Sequence, residues 1–200
     1  MNKKTILYID GENLRHYIET VLSAEGIKKE DINITKINFI KLFENALKGI
    51  SLDKKNYYAA KLHEYPEYPN LLEVSKELIL RQRVLKTNLE KQGFNFVLTG
   101  NVRAQEIDVN GKKKIIFKEK GVDVKIAVDL VSHACDKLVK TAYLCSSDSD
   151  LQPAIKEIKN RGVKVIYVGF EILPNKGLTY TTNGTILLRN SEVLDSLIKK

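Results

Sequence analysis

Hydrophobic residues in this chain fall into short continuous runs separated by stretches of helical periodicity. Residues 5–9, 141–145 and 163–168 are rich in β-branched and aromatic side chains, which is typical of strands buried inside a parallel sheet. After the first run, apolar residues from Leu14 to Leu22 recur at the spacing of a helix. This alternation predicts an α/β fold with a mainly parallel sheet.

The rest of the chain continues the same alternation. Helices are predicted over residues 38–48, 70–92, 122–138 and 151–161 and after residue 191, and strands over 56–62, 94–99, 114–118 and 185–188. Asn110-Gly111 is a strong two-residue turn signal, so we expect a lysine-bearing hairpin inserted around residues 94–120. Because no repeat or domain break interrupts the pattern, residues 1–200 are predicted to form a single domain.

The positive charge of the chain favours a polyanionic partner. The 200 residues carry a formal net charge of +8 at pH 7, which makes nucleic acid the obvious candidate. Charge alone is equally consistent with a solvated, lysine-rich surface. The candidate phosphate contacts on and near the hairpin are Arg103, Lys112, Lys113, Lys114 and Lys118.

Cysteine and histidine spacing offers no zinc template. Cys135 and Cys145 do not form a C-x-x-C pair, and the three histidines are far apart in the chain. We expect both thiols to be reduced and buried. The first apolar run, residues 6–9, is too short for a secretory signal or a membrane span, so we expect a cytoplasmic protein without a membrane partner.

Aspartates follow two of the predicted strands. Asp10 comes directly after the first strand, and Asp148 and Asp150 follow a later one. Ligands of open parallel sheets bind beyond the carboxyl ends of the strands, so these side chains are expected to converge there with Asp123, at the start of a helix. Clustered carboxylates raise one another's pKa unless a cation neutralises them, which predicts a hard divalent ion, Mg²⁺ or Mn²⁺.

Such an ion could activate water for attack on a phosphodiester. Asp10, Asp123 and Asp148 are the candidate metal ligands, and Asp150 is a fourth ligand or a base that positions water. Simpler structural roles remain open for each residue. Asp10 could be a turn residue beside Gly11, Asp123 a favourable acid at a helix start, and Asp150 a helix N-cap.

Two further polar residues near these acids have less definite roles. Asn13 could cap the first helix, or it could hold a carboxylate or a substrate phosphate. Asp129 lies on the helix that begins near residue 122, whose predicted buried stripe is Val124, Ala127, Val128, Val131, Cys135 and Leu138. Asp129 falls nearly opposite that stripe, so the helical wheel predicts that it lies outside the acidic cluster.

Three segments together resemble the NYN domains, a family that includes the LabA-like proteins and belongs to the wider group of PIN-like nucleases. They are Ile9-Asp10-Gly11-Glu12-Asn13, Lys120-Gly121-Val122-Asp123-Val124 with Ala127 and Asp129, and Ser146-Ser147-Asp148-Ser149-Asp150-Leu151. The last segment departs from the family's usual Ser-Gly-Asp-x-Asp-Phe at Ser147 and Leu151.

The resemblance implies a PIN-like Rossmannoid fold, a three-layer sandwich, and a Mg²⁺- or Mn²⁺-dependent ribonuclease acting on RNA. The acids at matching positions are Asp10, Asp123 and Asp148, while Asp150, Asn13, Ser147 and Asp129 fall at supporting positions of the motifs. The resemblance places Asp129 among the motif residues, whereas the helical wheel predicts that it lies outside the acidic cluster. A homodimer is also possible.

The main alternative is a non-catalytic RNA-binding or regulatory protein that keeps the fold. Asp148-Ser149-Asp150 also resembles the D-x-D of topoisomerase-primase domains and nucleotide-sugar transferases, but the first of these would have a glutamate at the end of an early strand. Haloacid-dehalogenase phosphatases begin with D-x-D-x-T, whereas this chain has Asp10-Gly11-Glu12-Asn13-Leu14. The ribonuclease interpretation is preferred because it alone explains the three acidic motifs, the fold and the basic surface together.

Overall fold

The computed structural model describes residues 2–66, 68–109 and 112–198, without the side chains of Lys29, Pro69, Asn70, Val109 and residues 112–114. The strands are β1 (Lys4–Asp10), β2 (Lys54–Lys61), β3 (Asn95–Val109), β4 (Lys112–Lys120), β5 (Val139–Cys145), β6 (Lys164–Phe170) and β7 (Gly184–Leu188). The helices are α1 (Gly11–Ala24), α2 (Phe39–Ala46), α3 (Pro69–Lys91), α4 (Val122–Cys135), α5 (Gln152–Asn160), α6 (Lys176–Thr181) and α7 (Asn190–Asp195).

All seven strands join one sheet in the order β4-β3-β2-β1-β5-β6-β7. Every neighbouring pair is parallel except β3 and β4, which are antiparallel. From β1 the chain builds the sheet outward through β2 and β3 to β4, and then crosses to the other side of β1 at β5. The sheet therefore has a topological switch point between β1 and β5, where parallel α/β folds place their ligands.

Helices cover both faces of the sheet. One core packs α1, α2, α3 and α7 against side chains such as Leu7, Ile9 and Tyr57. The other packs α4, α5 and α6 against side chains such as Tyr8 and Leu144. The predicted three-layer α/β architecture with a mainly parallel sheet is thus confirmed. None of the helices in the described part of the chain combines the length and the apolar composition of a membrane span.

The β3–β4 hairpin extends beyond the parallel part of the sheet between two glycines that lie side by side. Gly100 and Gly121 have φ of +56° and +91°, a region that strongly favours glycine. A Cβ on Gly100 would collide with the Lys120 carbonyl oxygen, and one on Gly121 would lie 3.5 Å from the Gly100 Cα. The predicted Asn110-Gly111 turn lies outside the described residues, but its two flanking strands are paired from Asn101↔Lys120 to Val109↔Lys112.

The predicted buried stripe of α4 is wrong. Its buried side chains are Val122, Ile126, Leu130 and Ala134, whereas Val124 and Val128 are 60% and 51% exposed. Apolar residues occur on several sides of this helix, so periodicity alone does not determine which side faces the sheet. The expectation for the cysteines is half wrong, because Cys145 is buried but Cys135 is exposed.

Candidate metal centre

Asp10 is fixed at the point where β1 turns directly into α1. Its Oδ1 accepts a hydrogen bond of 3.0 Å from the backbone amide of Asn13 and so caps α1. Its Oδ2 accepts one of 3.3 Å from the Ser146 hydroxyl. Only 8% of Asp10 is exposed. Asp10 is thus both the last residue of β1 and the N-cap of α1, and its carboxylate is buried.

Gly11 permits this tight connection. A Cβ at this position would lie 2.6 Å from the Tyr58 carbonyl oxygen and would also collide with the Tyr57 ring. The start of α1 therefore packs directly on β2, and Tyr57 donates a hydrogen bond of 3.2 Å to the Gly11 carbonyl oxygen. A glycine is required here for close approach, although its φ is ordinary.

The loop after β5 lies beside Asp10, on the other side of the switch point. Asn13 accepts a hydrogen bond of 3.0 Å from the Ser147 amide. Asp148 accepts one of 2.8 Å from the Asp150 amide and caps a 3₁₀ turn, Ser149–Leu151. The capping roles considered for Asn13 and Asp150 are therefore wrong, because Asp10 and Asp148 occupy the cap positions instead. Asp148 is half-buried and Asp150 is exposed.

Ser147 and Leu151, the two departures from the family pattern, fit this loop. Lys137 is the only non-glycine residue with a positive φ in the part of the chain that the structure describes, so Ser147 adopts an ordinary conformation. Its hydroxyl is 2.9 Å from the Tyr167 hydroxyl. Leu151 is buried in the core on the α4 face of the sheet. The loop thus has its own polar and apolar anchors.

Asn175 holds the outer side of the same loop, and the sequence analysis did not identify it. Its amide nitrogen Nδ2 donates to the Ser147 carbonyl oxygen at 2.8 Å and to the Ser149 hydroxyl at 3.2 Å. Its Oδ1 caps α6. An asparagine before a short helical segment is a recognisable cap signal, but its distant partners are visible only in the fold.

Glu119, at the end of β4, is a further acid that the sequence analysis missed. Its carboxylate accepts a hydrogen bond from the Ala60 backbone, which tends to lower its pKa. Burial is the largest cause of the opposite shift, followed by the charges of Asp10, Glu12 and Asp123, and together they raise the pKa of Glu119 to about 7. The hairpin thus brings a glutamate to the acids at the sheet edge.

Asp10 is subject to the same electrostatic field. Burial raises its pKa above the ordinary value, and the charges of Asp148 and Glu12 raise it further, against hydrogen bonds from Asn13 and Ser146. Asp123 is half-buried in the first turn of α4. Among the three predicted metal ligands, the charge of Asp148 thus raises the pKa of Asp10, and the charge of Asp123 raises the pKa of Glu119.

The described residues contain no complete metal cage. No three His, Cys, Asp or Glu side chains within that part of the chain are arranged closely enough to hold an ion on their own. The donors are nevertheless carboxylate oxygens, and Mg²⁺ typically keeps several waters while binding one or two carboxylates and substrate phosphates. The chemistry of the donor set therefore fits a hard divalent ion better than a zinc ion.

Asp129 lies against the sheet beneath α4. It accepts a hydrogen bond of 2.9 Å from the Tyr58 hydroxyl and forms an ion pair of 2.5 Å with Lys125. The helical-wheel prediction that it points away from the buried face is wrong, because that prediction used the wrong stripe. Its observed contacts connect α4 to β2.

Arg103 and Lys118, both exposed, are directly opposite each other on the β3–β4 hairpin. Two like charges at such a position repel each other, so an anion between them would be stabilising. The side chains of Lys112, Lys113 and Lys114 lie outside the described residues.

A family model for the NYN domain matches residues 4–186, nearly the whole chain. This chain belongs to the NYN domain family. NYN domains are generally nuclease-type domains, and such nucleases usually use divalent metal ions. The match includes all three acidic segments of the sheet edge, so the family assignment and the geometry concern the same residues.

The fold of this NYN domain is similar to that of a protein of unknown function from Vibrio parahaemolyticus RIMD 2210633. The two chains are 19% identical, the similarity covers 93% of each, and the TM-score is 0.57. This likeness shows the fold alone. No curated protein matches the chain.

Proposed function

We propose that this NYN domain is a metal-dependent ribonuclease that hydrolyses RNA phosphodiester bonds. The observation that carries the proposal is the environment of Asp10, a buried carboxylate held at the switch point within the electrostatic field of Asp148 and Glu12. The ion pairs formed among the described residues do not include Asp10, Asp123 or Asp148. A divalent cation, Mg²⁺ or Mn²⁺, would offset this uncompensated charge.

Each residue has a separate task in this proposal. Asp10, Asp123 and Asp148 would bind the ion directly or through water. Asp150, whose backbone amide donates to the Asp148 carboxylate, would be a fourth ligand or would position the attacking water. When bound, the ion supplies an activated water and stabilises charge on the phosphodiester oxygens. Glu119, with a pKa of about 7, can take up and release a proton near neutral pH.

RNA is the proposed partner, since the family is of the ribonuclease type. The exposed Arg103 and Lys118 would contact its phosphates, and Lys112, Lys113 and Lys114 are proposed to extend that contact along the hairpin. These contacts are independent of base identity. Neither the family nor the fold supports the homodimer.

The test is cleavage of labelled single-stranded and structured RNA with Mg²⁺, with Mn²⁺ or with EDTA. Asp10→Asn, Asp123→Asn and Asp148→Asn should each lower kcat by about 100-fold or more. Asparagine at residue 10 keeps an acceptor for the α1 cap, so a loss of activity there would reflect chemistry rather than folding. Asp136→Asn, at the exposed end of α4, is the matched control and should cleave at the wild-type rate.

A second candidate is an RNA-binding protein without turnover. It is favoured by the exposed Arg103 and Lys118 on the hairpin, which could contact phosphates without any metal ion. If the wild type binds RNA but does not cut it with either ion, or if cutting survives all three substitutions, the catalytic assignment is wrong. Binding would then lose affinity steeply with salt through the basic residues of the hairpin.

A further inference from the structure

A cleft of about 370 Å³ opens beside the acidic centre. It lies between α1, α3 and the base of the β3–β4 hairpin, and its lining includes Gly11, Glu12 and Glu119. Clefts of a few hundred Å³ are the usual size for binding one small organic group. A group in this cleft would lie next to the residues proposed to act on the phosphodiester.

The walls of the cleft are largely aromatic and aliphatic. Phe96 is half-buried and rests on the buried Tyr57, with ring centroids 5.5 Å apart and planes 14° apart. Phe117 enters from the hairpin, and Leu78 and Leu85 enter from α3. Flat apolar walls of this kind suit a planar ring system, because any base can stack on an aromatic or aliphatic surface.

The charges of the cleft do not favour a phosphate. Arg15 is paired with Glu12 and with Glu19, and Arg81 is paired with Glu77 at 2.5 Å. Glu119 adds a further acid to the lining. The carboxylates would therefore repel an anionic group, and both arginines are already in ion pairs. A neutral ring could instead donate a hydrogen bond from an exocyclic amine to Glu119.

We propose that this cleft binds one unpaired nucleobase of the RNA strand whose neighbouring phosphate lies at the acidic centre. The inference rests on the proposed ribonuclease function and adds a subsite that holds one base beside the cut bond. A base inside a duplex is stacked and paired, so it would have to leave the helix to enter the cleft. Selection for unpaired strands thus follows from the shape of the site.

The test is an abasic scan of one RNA. A labelled single-stranded RNA of about ten nucleotides, long enough for a typical single-strand site, is compared with versions that each lack one base. Binding is measured by fluorescence anisotropy in EDTA, and cleavage is measured with Mg²⁺ and Mn²⁺. Loss of the base at one position, fixed relative to the cut bond, should weaken binding by about 5- to 150-fold.

Two tryptophan variants of α3 locate the effect. Leu78→Trp fills the cleft and should bind the complete RNA as weakly as the wild type binds the critical abasic RNA, with no further loss on removing that base. Leu80→Trp is the matched control, because Leu80 is 60% exposed and does not line the cleft. It should retain the full abasic effect.

The outcomes separate this inference from the proposed function. The base site would be wrong, but the ribonuclease function would hold, if RNA is cleaved with metal while no single base removal weakens binding. The same conclusion would follow if Leu78→Trp leaves the abasic effect unchanged. Absence of cleavage with a positive abasic effect in EDTA would overturn the ribonuclease and leave the base site. Tighter binding to duplex than to single-stranded RNA would also contradict the inference.

Discussion

Replacing Glu119 with glutamine should make the folded protein more stable at neutral and alkaline pH. Burial and the nearby acids raise the pKa of Glu119 from 4.5 to about 7, so the folded state disfavours its charged form. Below about pH 4.5 the folded protein holds this carboxyl protonated and carries no penalty. As the pH rises through about 7 the wild type must ionise it, and stability is lost.

The size of the effect follows from the pKa shift. A rise from 4.5 to about 7 corresponds to about 3.4 kcal/mol at roughly 1.36 kcal/mol per pH unit. Glu119 is only half-buried, so solvent screening reduces the expected gain to about 1–2 kcal/mol at pH 8. Glutamine can still accept the hydrogen bond from Ala60, so the substitution removes the charge and little else.

The assay is urea unfolding of both proteins in EDTA between pH 4 and pH 8. The difference in unfolding free energy should be close to zero at the acidic end and grow between about pH 4.5 and pH 7. Glu44→Gln, at an exposed position of α2, is the control and should show no such trend. A difference for Glu119→Gln that does not change with pH, or that favours the wild type at pH 8, would refute the electrostatic argument.

Three further substitutions or reagents test the packing around the site. Gly11→Ala should lower the unfolding free energy by about 1–3 kcal/mol, because its Cβ collides with β2; a wild-type urea midpoint would contradict the required close approach. Tyr58→Phe should cost about 1–2 kcal/mol by removing the hydrogen bond to the half-buried Asp129, and an unchanged midpoint would show that this bond does not stabilise α4. A thiol reagent should modify only the exposed Cys135 in the native protein and both cysteines in urea, because Cys145 is buried and burial raises the pKa of its thiol. Rapid modification of both cysteines in the native protein would refute this.

The order of strands and helices could be predicted because each buried strand is a distinct apolar run and each following helix has its own period. Residues 5–9 and 141–145 fall inside β1 and β5, and these two elements bring Asp148 close enough to Asp10 for its charge to raise the pKa of Asp10. Convergence of the two acids could therefore be predicted from the rule that ligands bind beyond the strand ends.

The orientation of α4 could not be obtained in the same way. Val122, Ile126 and Leu130 are buried, yet Val124 and Val128 gave an equally regular pattern on another side. Contacts with the sheet distinguish the two: Tyr58 of β2 bonds to Asp129 and Tyr8 of β1 bonds to His133, and these contacts span 71 and 125 residues of sequence. Glu119 was missed for a similar reason, because a charged residue in a lysine-rich strand gives no local signal that tertiary contacts will bury it.

The β3–β4 hairpin extends from the rest of the fold, and its two ends, Gly100 and Gly121, lie next to each other. The chain leaves the parallel sheet at one glycine and starts α4 from the other, and the two lie side by side, since a Cβ added to Gly121 would be 3.5 Å from the Gly100 Cα. Segments joined at such a contact can be lengthened, shortened or exchanged without moving β2 or the helix that carries Asp123. The hairpin surface that is proposed to contact RNA could therefore change during evolution independently of the acids beneath it, so relatives with the same centre could recognise different RNAs.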